Sequence, residues 1–343
     1  MSLQKLFGLE LPIIQAPMAG WQDSKLTIAV SNAGALGSLP CALLSVDTMK
    51  EELTAIRAAT AKPYNVNFFC HTPPTVNVKR EQAWRDLLSP YFKQYGIDPQ
   101  AESAGAQRTP FSEEAADALE SFKPAAVSFH FGLPAPDLIA RVKSWGSKVL
   151  SSATTVEEAL WLESRGCDVI IAQGVEAGGH RGIFLSEDLT TQLGTFALLP
   201  QIVGAVRVPV IASGGIADAQ GVAAALALGA AGVQLGTSYL LCPETKTSAV
   251  HRAVLKTPSA RHTALTNLFS GRPARGIMNR LMTELGPINA AAPAFPLAAG
   301  AIAPLRKKAE SEGLGDFSPL WAGQNVSGCR EISAAALTRS LIR

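Results

Sequence analysis

Short apolar runs of strand length alternate with helical stretches along most of this sequence, and this alternation is the strongest constraint on the fold. It predicts a parallel α/β sheet, because each strand is followed by a crossover before the next parallel strand can pair. Eight such units favour closure into a (β/α)8 TIM barrel. The predicted strands are residues 12–17, 35–39, 64–69, 126–131, 148–153, 168–174, 209–215 and 232–238, and the predicted helices lie near residues 25–32, 46–58, 136–145, 156–165, 191–206 and 219–228.

An open, doubly wound sheet is the alternative arrangement of the same units. Dinucleotide-binding sheets of that kind carry a GxGxxG fingerprint after the first strand. This chain has IIQAPMAG there instead, at residues 13–20. The barrel is therefore the favoured prediction.

Residues 209–240 predict a phosphate-binding site. Gly214 and Gly215 follow the seventh predicted strand, and Gly236 and Thr237 lie at the end of the eighth. Glycines let backbone N–H groups approach an anion closely, and a neighbouring helix N-terminus adds partial positive charge. In barrels of this type, phosphate commonly binds after strands seven and eight. Tight turns alone are the alternative explanation for these glycines.

Two segments are much longer than the usual connections between the strands and helices of a barrel. Residues 72–123 separate the third and fourth predicted strands, and residues 262–343 follow the last barrel helix. Long insertions with apolar content are typical of functional lids. We therefore expect a barrel from residues 1–71 and 124–261, and a smaller, mostly helical substrate or lid domain from residues 72–123 and 262–343.

Composition narrows the class of protein. Apolar residues make up 47% of the chain and charged residues 17%, which predicts a substantial core. The net charge is +2 and the longest basic run is Arg306-Lys307-Lys308, so nucleic acid is not an expected partner. The N-terminal residues do not resemble a secretory signal, and no apolar run reaches the roughly 20 residues that cross a bilayer. Five scattered cysteines favour a reducing compartment, so we expect a cytoplasmic protein without a membrane partner.

The predicted strand ends are polar but carry almost no carboxylates. Active sites on such barrels lie at the carboxyl ends of the strands. The residues there offer no carboxylate pair for glycoside hydrolysis, no metal-ligand spacing and no GxSxG nucleophile elbow. Amides such as Asn67 and Gln173 suit a neutral heterocycle with donor and acceptor edges. Together with the phosphate site, they predict flavin mononucleotide (FMN) as the cofactor and no metal.

His180 is the strongest candidate for a catalytic residue. It follows Gly178 and Gly179 in a predicted loop just past the sixth strand, and neutral imidazole is the usual general base near neutral pH. A solvated surface histidine is the alternative. His130, at the end of the fourth strand, either lines the site or is a hydrogen-bonded packing residue.

Three charged residues near these motifs have open roles. Glu176 lies in the same loop as His180, where it either orients the histidine or is exposed. Arg272 and Arg275 begin the C-terminal segment. Their side chains either reach a phosphate or cap helix carbonyls, and the sequence does not separate these roles.

Eight motifs in chain order resemble the nitronate monooxygenase family, formerly called 2-nitropropane dioxygenase, and its class I branch in particular. Each motif is weak alone, but eight in register across nearly the whole chain are specific. The motifs are QAPMAG, NVNFF, SFHFG, AQGVEAGGHRG, ASGGI, GAAGVQLGTSYL, SGRPARG and LWAGQ.

The resemblance implies a TIM barrel that binds FMN non-covalently, with a smaller helical domain over the flavin. Family members oxidise alkyl nitronates with O2 to a carbonyl compound plus nitrite or nitrate, without NAD(P)H. For class I the expected substrate is propionate 3-nitronate. The implied partners are therefore a small nitronate and O2, and we expect a monomer or homodimer.

The family's site residues carry over by motif. The catalytic histidine falls on His180, as a base for the carbon-bound proton of a neutral nitroalkane and an electrostatic partner for the nitronate, and His130 falls on the substrate side. Tyrosines and a lysine of the C-terminal segment shape the family's substrate pocket. This chain has Phe295 there but no tyrosine, which argues against binding of a substrate carboxylate by that route, with Lys307 or Lys308 as partial substitutes. The implied FMN contacts are Met18, Asn67, Gln173, Gly178, Gly215, Gln234, Leu235, Gly236 and Thr237.

Two other functions fit part of this pattern. An FMN-dependent NADH oxidoreductase, either a quinone reductase or an enoyl-thioester reductase, would share the GGH-like and SGGI-like loops. A non-catalytic protein that binds a flavin or another phosphate ligand is the alternative from a different class.

Overall fold

A computed structural model of the chain describes residues 1–99 and 108–342. Within these residues, eight parallel strands form one sheet in the order β1-β9-β8-β6-β5-β4-β3-β2, and three strands form a small antiparallel sheet in the order β10-β11-β7. The strands are β1 (Ile13–Gln15), β2 (Gly37–Pro40), β3 (Tyr64–Phe69), β4 (Ala126–His130), β5 (Lys148–Ala153), β6 (Val169–Gln173), β7 (Gly179–His180), β8 (Val210–Ser213), β9 (Gly232–Leu235), β10 (Thr263–Thr266) and β11 (Ala274–Ile277).

The edges of the large sheet meet, so it is a barrel. β1 and β2, at opposite ends of the strand order, are joined by a parallel bridge between Ile14 and Leu36. The Gln15 N–H donates to the Leu36 carbonyl at 2.9 Å. The predicted TIM barrel is confirmed, and the open doubly wound sheet is excluded.

Helices follow the barrel strands and cover the outside of the barrel. α9 begins where Asp218 caps it by accepting from the Gly221 N–H at 2.9 Å, as its sequence predicts. Among the described residues, no helix combines the length and apolar character needed to cross a membrane. The helices are α1 (Leu3–Phe7), α2 (Ser24–Asn32), α3 (Val46–Ala59), α4 (Val78–Tyr95), α5 (Glu113–Glu120), α6 (Pro136–Ser144), α7 (Val156–Ser164), α8 (Thr195–Ala205), α9 (Ala219–Ala227), α10 (Ala249–Leu255), α11 (Arg280–Leu285), α12 (Ala298–Ser311) and α13 (Ala334–Ser340).

The barrel interior changes from apolar to polar along the strands. Near the amino ends the inward positions are apolar and form one buried cluster, for example Leu150 and Ile211. Two residues further along the same strands, Ser152 and Ser213 line a cavity. Because alternate residues of a strand face the same side, this change places polar groups only at the carboxyl end.

The two long segments predicted to be a lid pack on each other as a second, mostly helical core. Trp84 and Phe92 of α4 belong to one buried cluster with Ile302 of α12 and with Phe317. The Trp84 indole N–H donates to the Ala298 carbonyl at 3.3 Å. Without this bond, the buried indole nitrogen would have no hydrogen-bond partner. Residues 100–107 of the predicted lid segment lie outside the described residues.

The last helix, α13, packs against the barrel. Ala334 and Leu337 of α13 are part of the barrel's outer core, and α13 packs against α2. The Ala334 N–H also donates to the Glu244 carboxylate at 3.0 Å. The predicted domain boundaries stay a prediction, and we propose that residues 334–341 be grouped with the barrel.

Candidate active site

A cavity of about 300 Å³ opens at the carboxyl end of the barrel, under the helical lid. Its lining combines barrel strand ends with residues of the C-terminal segment, among them Phe269, Trp321 and Asn325. All of the residues that the sequence singles out as site residues line it: Met18, Asn67, His130, Gln173, Gly178, His180, Gly215, Gln234, Leu235, Gly236 and Thr237.

One side of the cavity is built mainly from backbone, and we call it the phosphate end. It comprises Gly215 after β8, Gly236 and Thr237 after β9, and residues 322–325. The N–H groups of Gly215, Gly236 and Thr237 have no hydrogen-bond acceptor among the described residues. A short 3₁₀ helix starts at Thr237 without a side-chain cap. Free N–H groups at adjacent strand ends are the usual elements of an anion site.

Residues 322–325 close over the phosphate end. The Gly323 N–H donates to Thr237 Oγ1 at 2.9 Å, and the Asn325 amide donates to the Gly215 carbonyl at 3.1 Å. Gly178 makes this approach possible, since a Cβ on it would lie 2.6 Å from the Ala322 carbonyl carbon and from the Gly323 nitrogen. The sequence shows the LWAGQ motif but not these contacts.

Gln234 carries a free acceptor within the same cavity. Its Oε1 is buried and has no hydrogen-bond partner in the described part of the chain. A buried polar atom without a partner costs about 1–3 kcal/mol. A ligand that donates an N–H at this point would remove that cost.

Asn67 and Gln173 are already engaged with the protein. The Gln173 amide donates to the His180 carbonyl at 3.0 Å, and its Oε1 accepts from the Gly182 N–H at 2.7 Å. The Asn67 amide donates to Ser128 Oγ at 2.9 Å. Gln173 therefore fixes the loop that carries His180, and the predicted cofactor contacts of both amides stay predictions.

The opposite side of the cavity, which we call the histidine end, is built from side chains of distant segments. His180 lies in β7, whose partner β11 comes from the C-terminal segment, with His180 opposite Ala274. Its Nε2 is 2.9 Å from the hydroxyl of the buried Ser270. Aromatic rings surround the imidazole at centroid distances of 6.1, 6.0, 5.3 and 5.6 Å, from Phe69, Phe131, Phe295 and Trp321.

Burial and a positive neighbourhood keep His180 neutral. Burial lowers its pKa well below the ordinary value of 6.5. The positive charges of Arg108 and Arg272, together with the nearby imidazoles of His130 and His71, further disfavour protonation there. The neutral form is the one that accepts a proton, so the ring is available as a base at neutral pH, and its lowered pKa makes it a weaker base than a solvated histidine.

His130 supports the backbone that carries His180. Its Nε2–H donates to the His180 carbonyl at 3.1 Å, and its Nδ1 accepts from the Ser152 hydroxyl at 3.1 Å. Burial lowers the pKa of His130 to about 4, so it stays neutral. Both ring nitrogens have protein partners, and the predicted position on the substrate side stays a prediction.

Glu176 has a different partner from the histidine. Its carboxylate accepts from the Thr195 N–H at 2.8 Å and from the Thr195 hydroxyl at 2.9 Å. It caps α8, because the residue before that helix, Gly194, has no side chain to do so. The hydrogen-bond partner of His180 is Ser270, which sequence reasoning missed because no spacing connects residues 90 positions apart.

The two arginines with open roles bind loop carbonyls. Arg275 Nε donates to the Val175 carbonyl at 2.8 Å. Arg272 donates to the Ile183 carbonyl, and its guanidinium lies 4.1 Å from the Phe131 ring centroid. Both side chains therefore stabilise the loops around His180, and neither lines the cavity.

Two different arginines bring positive charge to the cavity. Arg108 and Arg306 line it, and its lining contains no Asp, Glu or Lys among the described residues. Lys307 and Lys308 are exposed on α12, where Lys308 pairs with Glu312 at 2.9 Å. The lysines therefore do not fill the expected role of cavity cations in this structure.

The fold and site together define a TIM-barrel enzyme whose cavity combines glycine-rich strand ends with a neutral histidine. The chain belongs to the nitronate monooxygenase family, since the family model of that description matches residues 1–343. It is 42% identical to a nitronate monooxygenase of Pseudomonas aeruginosa over 98% of this chain and 97% of that protein. The resemblance inferred from the eight motifs is thereby confirmed.

Solved structures agree. A nitroalkane oxidase from Streptomyces ansochromogenes matches with a TM-score of 0.90 and 38% identity, covering 99% of this chain and 96% of that one. FabK from Thermotoga maritima matches less well, with a TM-score of 0.74 and 26% identity over 99% and 94% of the two chains. The chain is therefore an oxidoreductase of this family, and the NADH oxidoreductase alternative is not favoured.

Proposed function

We propose that this protein is an FMN-dependent nitronate monooxygenase. It oxidises alkyl nitronates, with propionate 3-nitronate as the leading candidate, using O2 and yielding the carbonyl compound plus nitrite or nitrate. It needs no NAD(P)H and acts as a monomer or homodimer. The observation that carries this proposal is a family match over the whole chain combined with a cavity that holds a neutral His180 and, among the described residues, no carboxylate.

The cavity fits FMN. The family is flavin-dependent in general. At the phosphate end, the free N–H groups of Gly215, Gly236 and Thr237 suit the phosphate. The orphaned Gln234 Oε1 suits an N–H of the ring. Met18, Asn67, Gln173, Gly178 and Leu235 complete the proposed contact set, and when bound the flavin supplies the electron acceptor for the reaction.

The protein's own residues then perform three tasks. The helical lid and the aromatic rings around His180 keep water from the reacting carbon. His180 accepts the carbon-bound proton when the substrate is a neutral nitroalkane, and it lies beside the charge of a nitronate. Gln173 and His130 both bond the His180 carbonyl and so hold the imidazole in place.

The charge of the cavity suits an anionic substrate. Arg108 and Arg306 supply positive charge, and no acidic side chain among the described residues lines the cavity to repel a nitronate. Electrostatic attraction of this kind raises the local substrate concentration and the association rate.

Oxygen uptake by the purified FMN-loaded protein tests the proposal. Propionate 3-nitronate is supplied in one trial and NADH in another, and flavin absorbance is followed anaerobically in parallel. Rapid uptake with the nitronate and none with NADH is expected. Bleaching of the flavin by NADH without a response to the nitronate would replace this proposal with the reductase.

A further inference from the structure

Arg108 differs from the other arginines around the site in the hydrogen bonds that its guanidinium makes. Arg181, Arg272 and Arg275 all donate to backbone carbonyls. The Arg108 Nη1 is buried and has no hydrogen-bond partner in the described part of the chain. A shielded guanidinium nitrogen without an acceptor is costly, because it has lost water and gained nothing in return.

The guanidinium lies at the histidine end of the cavity. It is 5.3 Å from the ring centroid of Phe295, and Phe295 in turn lies 5.3 Å from the imidazole of His180. Arg108 lines the same cavity as His180. Its charge also acts on His71, whose ring packs 4.8 Å from Phe295. The free Nη1 of Arg108 is therefore on the substrate side, away from the glycines that suit the phosphate.

The second cavity arginine is partly neutralised. Arg306 Nε donates to the Glu310 carboxylate at 2.8 Å, and the same carboxylate oxygen accepts from Ser318. Arg108 has no ion pair among the described residues. Of the two, Arg108 has the greater unmet capacity to bind an anion.

We propose that Arg108 is the specificity-determining residue that binds a carboxylate of the substrate, at the end remote from the nitronate carbon. This inference rests on the proposed function. Planar guanidinium matches planar carboxylate, and a hydrogen bond between two charged groups is stronger than a neutral one. The enzyme therefore selects dianionic carboxy-nitronates over simple alkyl nitronates.

A comparison of two substrates tests this assignment. Propionate 3-nitronate carries the carboxylate, and butane-1-nitronate has an ethyl group in its place. For Arg108→Met, kcat/KM for propionate 3-nitronate should fall roughly 10- to 100-fold, as expected for loss of a charge-assisted hydrogen bond. The loss should lie mainly in KM, and kcat/KM for butane-1-nitronate should stay within about threefold.

Two further variants complete the design. Lys307→Met removes the same charge from the exposed face of α12, outside the cavity, and should leave both substrates unchanged. Arg108→Lys should restore part of the preference, since it returns the charge without the planar fork. Bound FMN, measured by absorbance in each variant, shows that the fold and the cofactor site are intact.

The outcomes separate this inference from the function on which it rests. If the wild type oxidises both nitronates but Arg108→Met slows them equally, or slows neither, the role of Arg108 is wrong and the monooxygenase stands. If the wild type oxidises neither nitronate, both proposals fall.

Discussion

The two ends of the cavity are built from different groups, the phosphate end from backbone and the histidine end from side chains. The phosphate end uses backbone N–H groups at adjacent strand ends, supplied by Gly215, Gly236 and Thr237. The histidine end uses side chains that meet from distant parts of the chain, such as His180 and Ser270. Backbone donors are positioned by the strands themselves, whereas side chains depend on tertiary packing. The phosphate end should therefore be sensitive mainly to added volume, and the histidine end mainly to side-chain replacement and to pH.

The largest expected effect comes from removing the imidazole of the histidine end. His180→Asn should lower turnover of a neutral nitroalkane by about 10²- to 10⁴-fold, the range for loss of a general base. Turnover of a preformed nitronate should fall less, because its proton is already gone. FMN should stay bound, since the phosphate end is unchanged.

The matched control is His262→Asn, which alters an exposed histidine outside the cavity. Steady-state oxygen uptake with both substrate forms makes the measurement. Unchanged nitroalkane turnover in His180→Asn would remove His180 from the role of base.

Added volume should damage the phosphate end. In Gly178→Ala the new Cβ would lie 2.6 Å from the Ala322 carbonyl carbon, so residues 322–325 must move away from Thr237. Overpacking of this kind costs about 1–3 kcal/mol, and we expect FMN to bind roughly 5- to 150-fold more weakly. Titration of FMN fluorescence measures the dissociation constant.

Gly204→Ala is the matched control, because a Cβ at this exposed position of α8 meets nothing within 4 Å. It should leave FMN affinity unchanged and stabilise the helix by about 0.5–1 kcal/mol. Equal affinity for FMN in the wild type and Gly178→Ala would show that residues 322–325 do not shape the phosphate end.

Low pH should destabilise the folded protein through the histidine end of the cavity. Burial lowers the pKa of His71 to about 4, so below pH 6.5 the unfolded chain binds a proton that the folded chain does not. Stability is therefore full above pH 6.5 and falls as the pH drops towards 4, by up to about 2 kcal/mol for this histidine at pH 5. Urea unfolding at pH 7.5 and 5.0 measures the difference.

His71→Gln should narrow that difference by about 1–2 kcal/mol, because it removes one titrating group from the folded core. His262→Gln, at an exposed site, is the control. An equal change in stability at both pH values for His71→Gln would show that His71 does not contribute to the pH effect.

The smallest expected effect concerns Glu176, which lies in the loop between β6 and β7. Glu176→Gln keeps an acceptor for the Thr195 N–H, so we expect less than about 1 kcal/mol of lost stability. Turnover should stay within threefold, since the partner of His180 is Ser270. A marked fall in turnover with an altered pH profile would show that Glu176 does orient the histidine.

The barrel and the phosphate end could be predicted from particular local patterns. Glycines follow two consecutive strands, at Gly215 and Gly236, and the strand positions themselves follow from short apolar runs. Conformational freedom and period are properties of a few neighbouring residues, so they are visible in the sequence. His180 could be predicted for the same reason, because it is a histidine in a glycine-containing loop at the end of a strand.

Other parts of the site could not be predicted from the sequence. Ser270 and Arg108 lie far from His180 in sequence. Ser270 begins the SGRPARG motif, but nothing there pairs it with His180, and nothing in the local context of Arg108 distinguishes it from other arginines. Glu176 was a candidate partner of His180 because it lies in the same loop, but its carboxylate caps α8 instead.

The sequence by itself determined the eight βα units, the glycines that follow β8 and β9, and the loop that carries His180. Only the tertiary structure decided which side chains surround that histidine, that Arg272 and Arg275 bind loop carbonyls, and that Arg108 enters the cavity in place of Lys307 or Lys308. The physical reason is the range of the interactions. Backbone conformation is set within a few residues, whereas a buried site forms where non-local packing brings distant segments together.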